Sequence, residues 1–403
     1  MKKIIKKKFY KISLFFLFII LALGSVWHLK NKKYAVHLVS KPKDVKMWEA
    51  DPRSLQSESA ALKQIKKINN ENKGQDISLN KMELVVIPGL RGAWSINPKS
   101  GKATFGTDWV PQGVTQSEDN YYISAYDGEH HLNSLIFQID KKTKKYVKTL
   151  ILDSKAHVGG IIYDQKYKQL IYSDDTKKCA GLGYISKKNM DSYHANRVKA
   201  PIHSKVIKWD IASRTSAITL YNNQLLVAKY GLNKDDRSIV AVPCDNKGLI
   251  TVPSTKDLNQ VNLEMTQESS ETKDNNNIIK KYIQILTKMK LINSYNPAWD
   301  RLQGIAVSKT GLTFLTQSNG YRPGELMVRV QEVDKTYLKF HAPKVGFNKI
   351  SIPASVEGIS LNSSENHIAL VFESGAKEYR NSNLYYMDRL IILPISITIN
   401  DND

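Results

Sequence analysis

The stretch His157–Asp175, HVGGIIYDQKYKQLIYSDD, decides the fold. An apolar run from Val158 to Tyr163 enters a polar turn, residues 164–169. A second run, Leu170 to Ser173, leaves it and ends on two adjacent acids, Asp174 and Asp175. Short apolar runs bounded by polar turn residues read as the two strands of a β-hairpin. Nearly the same sentence recurs as PQGVTQSEDNYYISAYDG (111–128), LQGIAVSKTGLTFLTQSNG (302–320) and VEGISLNSSENHIALVFESG (356–375). A weaker copy is SRTSAITLYNNQLLVAKYG (213–231). A unit repeated in this way is the sequence sign of a repeat architecture.

Further apolar runs follow each copy. After the first come Leu135–Ile139 and Tyr146–Leu152. After the opening stretch come a polar excursion, residues 176–201, and then a third strand over 205–211. The third copy continues through Ser238–Pro243 and residues 248–252, the fourth through 326–333, and the last through 388–399. The unit is therefore four short antiparallel strands. Gly113 and Gly160 are 47 residues apart, and Gly304 and Gly358 are 54 apart. A four-stranded propeller blade takes about 40–50 residues. The expected fold is all-β: a five- or six-bladed β-propeller over residues 82–403. The run Met82–Ile87 either builds a sixth blade or pairs with the C-terminal strand and closes the ring. The interval from Ala217 to Gly304, 87 residues, leaves room for an insertion over 257–295. Its acidic, polar first half reads as a loop. Its second half, IIKKYIQILTKMKLI (278–292), has helical spacing and reads as a helix docked on one face.

Two features frame the body. Residues 1–11 carry six Lys, and an uncharged apolar run, 12–29, follows. Basic residues stay on the cytoplasmic side, so this is an N-terminal membrane helix or signal peptide, with the body outside the cytoplasmic membrane. Uncleaved, it makes a single-pass anchor; cleaved after a site such as Ala22-Leu23-Gly24, it leaves a secreted protein. Residues 30–81 are polar and read as a stalk with a short helix over 54–68, capped by Ser57. The formal charge is +21, of which the first 33 residues supply +9. The remaining +12 makes a cell-envelope polyanion a candidate partner. For nucleic acid that charge is the sole argument, and an exported body does not meet it. The two cysteines, Cys179 and Cys244, lie in different repeats and set no disulfide framework.

The sentence Gly160-Ile161 … Leu170-Ile171-Tyr172-Ser173-Asp174, and Gln303-Gly304-Ile305-Ala306-Val307, resemble blade motifs of the NHL, YWTD and gluconolactonase-like propellers, over residues 110–400. NHL and YWTD relatives are mostly binding modules. Gluconolactonase-like relatives are metal-dependent hydrolases whose acids and amides point into the central channel. The resemblance implies that Glu357, in Val-Glu-Gly-Ile, matches their metal-ligating glutamate, for Ca²⁺ or another divalent metal. Their Asn-Gly partner is absent; Gln112-Gly113 and Gln303-Gly304 stand at the matching places.

In such blades the residue before the glycine sits at a mouth of the channel. The candidate ligand-binding residues are thus Gln112, His157, Asp174, Asp175, Gln303 and Glu357. Tyr126, Asp127, Gln317 and Glu373 end the second strands and are expected to converge with them. Asp174 reads as a strand-end acid bonding the next turn, and His157 as a base facing Asp174 or a hydrogen-bonding group of the mouth. Trp94, Trp109, Tyr126, Tyr230, Trp299 and Tyr321 offer a stacking platform for a sugar or peptide. There is no GxSxG, HExxH or phosphate-cradling loop. The expected function is a membrane-tethered binding module for a sugar, polyanion or protein at the cell surface. The alternative is a metal-dependent hydrolase or lactonase using the same channel.

Overall fold

The computed structural model describes residues 17, 19–26, 38–70, 81–176, 179–209, 212–267, 275–334, 337–341, 349–380 and 386–395. Five four-stranded antiparallel sheets make a five-bladed propeller. Blade 1 is Trp109–Gln116, Asn120–Asp127, Leu135–Asp140 and Tyr146–Ile151, counted from the channel outward. Blade 2 is Ile161–Asp164, Gln169–Ser173, Ala180–Ser186 and Lys205–Trp209; blade 3 is Ala217–Tyr221, Gln224–Lys229, Ser238–Pro243 and Ser294–Pro297. Blade 4 is Leu302–Val307, Leu312–Asn319, Arg322–Val330 and Lys349–Ile352. Blade 5 takes Val356–Leu361, His367–Phe372 and Arg389–Pro394 from the C-terminal end and its outer strand, Glu83–Val86, from the N-terminal end. Val85 lies opposite Leu390 in that pairing. Of the two roles open to the 82–87 run, the ring takes closure, and no sixth blade forms among the described residues. Closure covers the edge of Arg389–Pro394, and the last blade ends, like the others, on a short outer strand.

The recurrent glycine and the hydroxyl residue opposite it stitch neighbouring blades together. Ser124 Oγ accepts from the Gly113 N–H at 3.0 Å and donates to the Val158 carbonyl of blade 2 at 2.7 Å. Ser173 repeats this: it accepts from Gly160 N–H at 3.0 Å and donates to the Thr215 carbonyl at the entry to blade 3. Thr316 Oγ1 reaches the Glu357 carbonyl at 3.1 Å. The backbones come so close that a Cβ on Gly113 would lie 2.6 Å from the Gly159 carbonyl oxygen. The glycine is therefore required by close approach between blades.

Two assignments shift. Blade 2 takes its third strand from Ala180–Ser186, inside the polar excursion, and the 205–211 run becomes its fourth. Residues 248–252 contribute only an isolated bridge, Cys244 to Ile250, and the fourth strand of blade 3 comes after the insertion. The insertion contains two helices, Thr255–Gln267 and Asn275–Lys288; of the loop expected over 264–277, residues 264–267 and 275–277 are helical and 268–274 lie outside the described residues. Val261, Ile285 and Leu286 share a hydrophobic cluster with Ile171 and Trp209 of blade 2 and Val227 of blade 3. The hairpin thus fills the widening gap between these two blades.

Residues 38–70 pack on the ring. The helix Glu58–Asn69 starts at Ser57, whose hydroxyl accepts from Ala60 N–H, and buries Ala61 and Ile65 against Ile350 and Ile352 of blade 4. Just before it, Asp388 accepts from Leu55 N–H at 2.6 Å and Gln56 N–H at 3.0 Å. Leu17 and residues 19–26 of the apolar leader are helical and exposed; the rest of the 12–29 run lies outside the described residues. Among the described residues no helix is long and apolar enough to cross a membrane. Cys179 and Cys244 are free thiols.

Candidate ligand site at the channel mouth

Because every inner strand begins at the same face of the ring, the residues before the glycines meet there. Gln112, His157, Gly159, Gln303 and Glu357 line one cavity of about 620 Å³. Asp175, Arg214, Tyr230, His130 and Lys155 share its wall.

Blades 5 and 1 give it an acidic side. Glu357 is 7% exposed and faces Glu373, and Gln112 Nε2 donates to Glu373 at 3.4 Å. Burial pushes both acids up. The facing Glu373 adds to the rise at Glu357, which lies well above the usual carboxylate range, while hydrogen bonds from Glu357 and Gln112 hold Glu373 to about 7. Two carboxyls this close cannot both ionise, so they hold a proton between them at neutral pH. One side of the pair can donate while the other accepts. Tyr379 and Tyr126 stand beside them, hydrogen-bonded to each other.

Blades 1 to 3 supply the opposite side. The His157 ring stacks on Tyr126 with centroids 4.1 Å apart, and His130 lies 5.3 Å from each. Burial, then the proximity of His130 and Arg214, pushes His157 down, favouring neutral imidazole. Lys155 Nζ donates to the His130 carbonyl at 3.0 Å.

The adjacent acids exchange the roles expected of them. Asp175, on the cavity wall, does the bonding of the next turn: it accepts from Gly181 N–H at 3.0 Å and from both Thr215 N–H and Oγ1–H at 2.8 Å. Asp174 turns away from the mouth, is 6% exposed and approaches Lys208 Nζ at 3.5 Å. It is not the partner of His157, which has Tyr126 instead. Of the six aromatics, Tyr230 lines the mouth and Tyr126 backs it. Trp94 packs on Phe105, Trp109 is buried with its Nε1 on the Gly106 carbonyl, Trp299 packs on Phe340, and Tyr321 is exposed on a loop. Glu373 and Arg214 complete the site. Glu373 was marked in the sequence by its place at a second-strand end; Arg214 stands at the start of the weaker copy, three residues before Ala217, the place His157 holds before Gly160.

No protein family matches the chain, and no curated protein matches it in sequence. Solved structures do. The PQQ-bound aldose sugar dehydrogenase of Streptomyces coelicolor aligns with 73% of this chain and 79% of its own at 12% identity and a TM-score of 0.36. A gluconolactonase from Xanthomonas campestris aligns with 78% and 95% at 9% identity and 0.34, and the WD40 repeats of RRP9 with 79% and 98% at 8% identity and 0.33. This chain is a β-propeller. At these values the likeness reaches neither family nor activity.

A calcium ion takes six to eight oxygen ligands. Glu357, Glu373 and Gln112 are the donors at hand, and the first two share a proton. Among the described residues no three His, Cys, Asp or Glu side chains gather as a metal cage. The residues present do not by themselves fit a calcium cage, and no chemistry is derived through one.

Proposed function

We propose that this propeller is an exported, membrane-tethered module that binds a small polar ligand, of the sugar or peptide class, at the mouth of its central channel. The observation that carries the reading is the convergence of Gln112, His157, Gln303 and Glu357 on one cavity of about 620 Å³. Such concave sites with a few convergent polar groups are where small ligands bind. The wall carries both charges: Glu357, Asp175 and two amides share it with Arg214, Lys155 and the His157 and His130 rings. The apolar run over residues 12–29, behind its lysines, supports tethering with the body outside.

The test is a thermal-shift screen of sugars, short peptides and divalent metals against the full chain and Glu357→Gln. A ligand that raises the melting temperature of the native chain and loses that effect in the variant supports the reading. A screen in which every stabilising ligand acts equally on both would overturn the assignment to the mouth. Protease accessibility of the body in intact cells checks the tether.

The shared proton favours one second reading, hydrolysis of a lactone or ester. Glu357 and Glu373 then act as general acid and base on a bound water. Stoichiometric metal in the purified chain, lost together with lactonase activity in Glu357→Gln, would favour a metal-dependent form of it. A metal-free chain lacking lactonase activity sinks it.

A further inference from the structure

The helical insertion does more than fill space. Helix Asn275–Lys288 turns Tyr282, Ile283 and Leu286 toward blades 2 and 3, yet an opening of about 160 Å³ remains there. Trp209, Val227 and Val240 form its other walls, so it is lined mostly by carbon. Well-packed interiors leave few voids larger than a water molecule. A cavity of about 150 Å³ lined by apolar side chains is large enough to take up benzene.

Two further observations say what kind of molecule suits it. Trp209 is fully buried, and its Nε1–H makes no hydrogen bond. A buried indole N–H ordinarily finds an acceptor, but this one is closed off from the opening, so the choice of ligand falls to the charges around it. At the rim stand Arg214 and Lys229, and neither forms an ion pair among the described residues. The opening therefore combines apolar walls and two cations.

We propose that this wedge is a second ligand site, distinct from the channel mouth, for a medium-chain alkyl carboxylate. The alkyl chain lies against Val227, Val240, Ile283 and Leu286. The carboxylate faces Arg214 and Lys229. A neutral alcohol would forfeit the cations; an alkylammonium would be repelled by them. Arg214 also belongs to the wall of the channel mouth, so the two sites share one residue.

The experiment uses the full chain in phosphatidylcholine nanodiscs and octanoic acid bearing a diazirine at its seventh carbon. After photolysis, adducts are mapped by peptide mass spectrometry. Adducts are expected within residues 227–240 and 279–286, suppressed by excess octanoate and not by octyltrimethylammonium. Lys229→Gln keeps a polar side chain and removes a cation; it should raise the half-competing octanoate concentration about tenfold, the scale of one hydrogen bond to a charged group. Arg214→Gln with Lys229→Gln should raise it further. Val240→Phe, which fills the opening, should abolish labelling at an unchanged melting temperature; should it fail to fold, the polar variants keep the test. Labelling that octanoate does not suppress, competition by the alkylammonium equal to that by octanoate, or identical competition in the polar variants would overturn the site and leave a packing void.

Discussion

Glu373 and Glu357 carry the clearest consequence of a single residue's surroundings. In an unfolded chain a glutamate titrates near 4.3; in the ring Glu373 titrates at about 7. Between those values the folded chain binds more protons than the unfolded one, so stability falls as pH rises from about 4.5 to 7 and then levels for this group. Glu373→Gln removes that slope. Its stability relative to the native chain should improve by about 2 kcal/mol between pH 5 and 8, read from urea unfolding at each pH; a constant difference would show that the pair does not share a proton. The thiols make a second residue-scale case. Burial pushes Cys244 up to about 12, so iodoacetamide at pH 8 should modify Cys179 first, and Cys244 should react at a comparable rate only after unfolding. Part of this site was legible in the sequence. The position before each blade glycine is fixed by strand geometry, which is why Gln112, Gln303 and Glu357 could be placed at one mouth. The division of labour between Asp174 and Asp175 was not. It depends on which of two neighbouring side chains meets Thr215, forty residues on.

At the level of strands and helices, the missed strand shows what periodicity lacks. Ala180–Ser186 reads AGLGYIS, and its glycines argue against a strand. The structure supplies the reason: a Cβ on Gly183 would lie 2.1 Å from the Tyr172 ring of the neighbouring strand. A glycine that makes room for an aromatic across the sheet looks, in one dimension, like a turn. The fourth strand of blade 3 was hidden differently. Its four residues, Ser294–Pro297, come after two helices inserted ahead of them. Among the ties that hold residues 38–70 to the ring, one can be tested at a single side chain. The Asp388 carboxylate is fully buried, accepts from Leu55, Gln56 and Arg389, and ties residues 55–56 to blade 5. Asp388→Ala leaves those donors and the buried Arg389 guanidinium without it. It should destabilise the protein by about 3 kcal/mol, measured by equilibrium unfolding. Gly160→Ala probes the joint between blades. Its Cβ would lie 2.6 Å from Ser173 Oγ and 3.1 Å from Ile218, and a loss of about 1–3 kcal/mol is expected.

For the whole molecule the decisive link is the one between the ends of the chain. Every other blade is completed by residues that follow its inner strand, but blade 5 needs Glu83–Val86, more than 260 residues away from the Val356–Leu361 strand that begins it. The partner strand, Arg389–Pro394, is buried along five of its six residues. Its free edge would offer unpaired N–H and C=O groups beside apolar side chains, a template for another chain. A chain beginning at residue 88 should therefore lose more than one strand's contacts. It should unfold at lower denaturant concentration and self-associate, and a peptide covering residues 81–88 should restore the monomer. Size-exclusion chromatography of the truncated chain with and without that peptide checks this. A truncated chain that stays monomeric with an unchanged unfolding midpoint would mean that the ring is held by contacts between neighbouring blades, such as the Ser124 and Thr316 bridges, and that the terminal strand adds little to its closure.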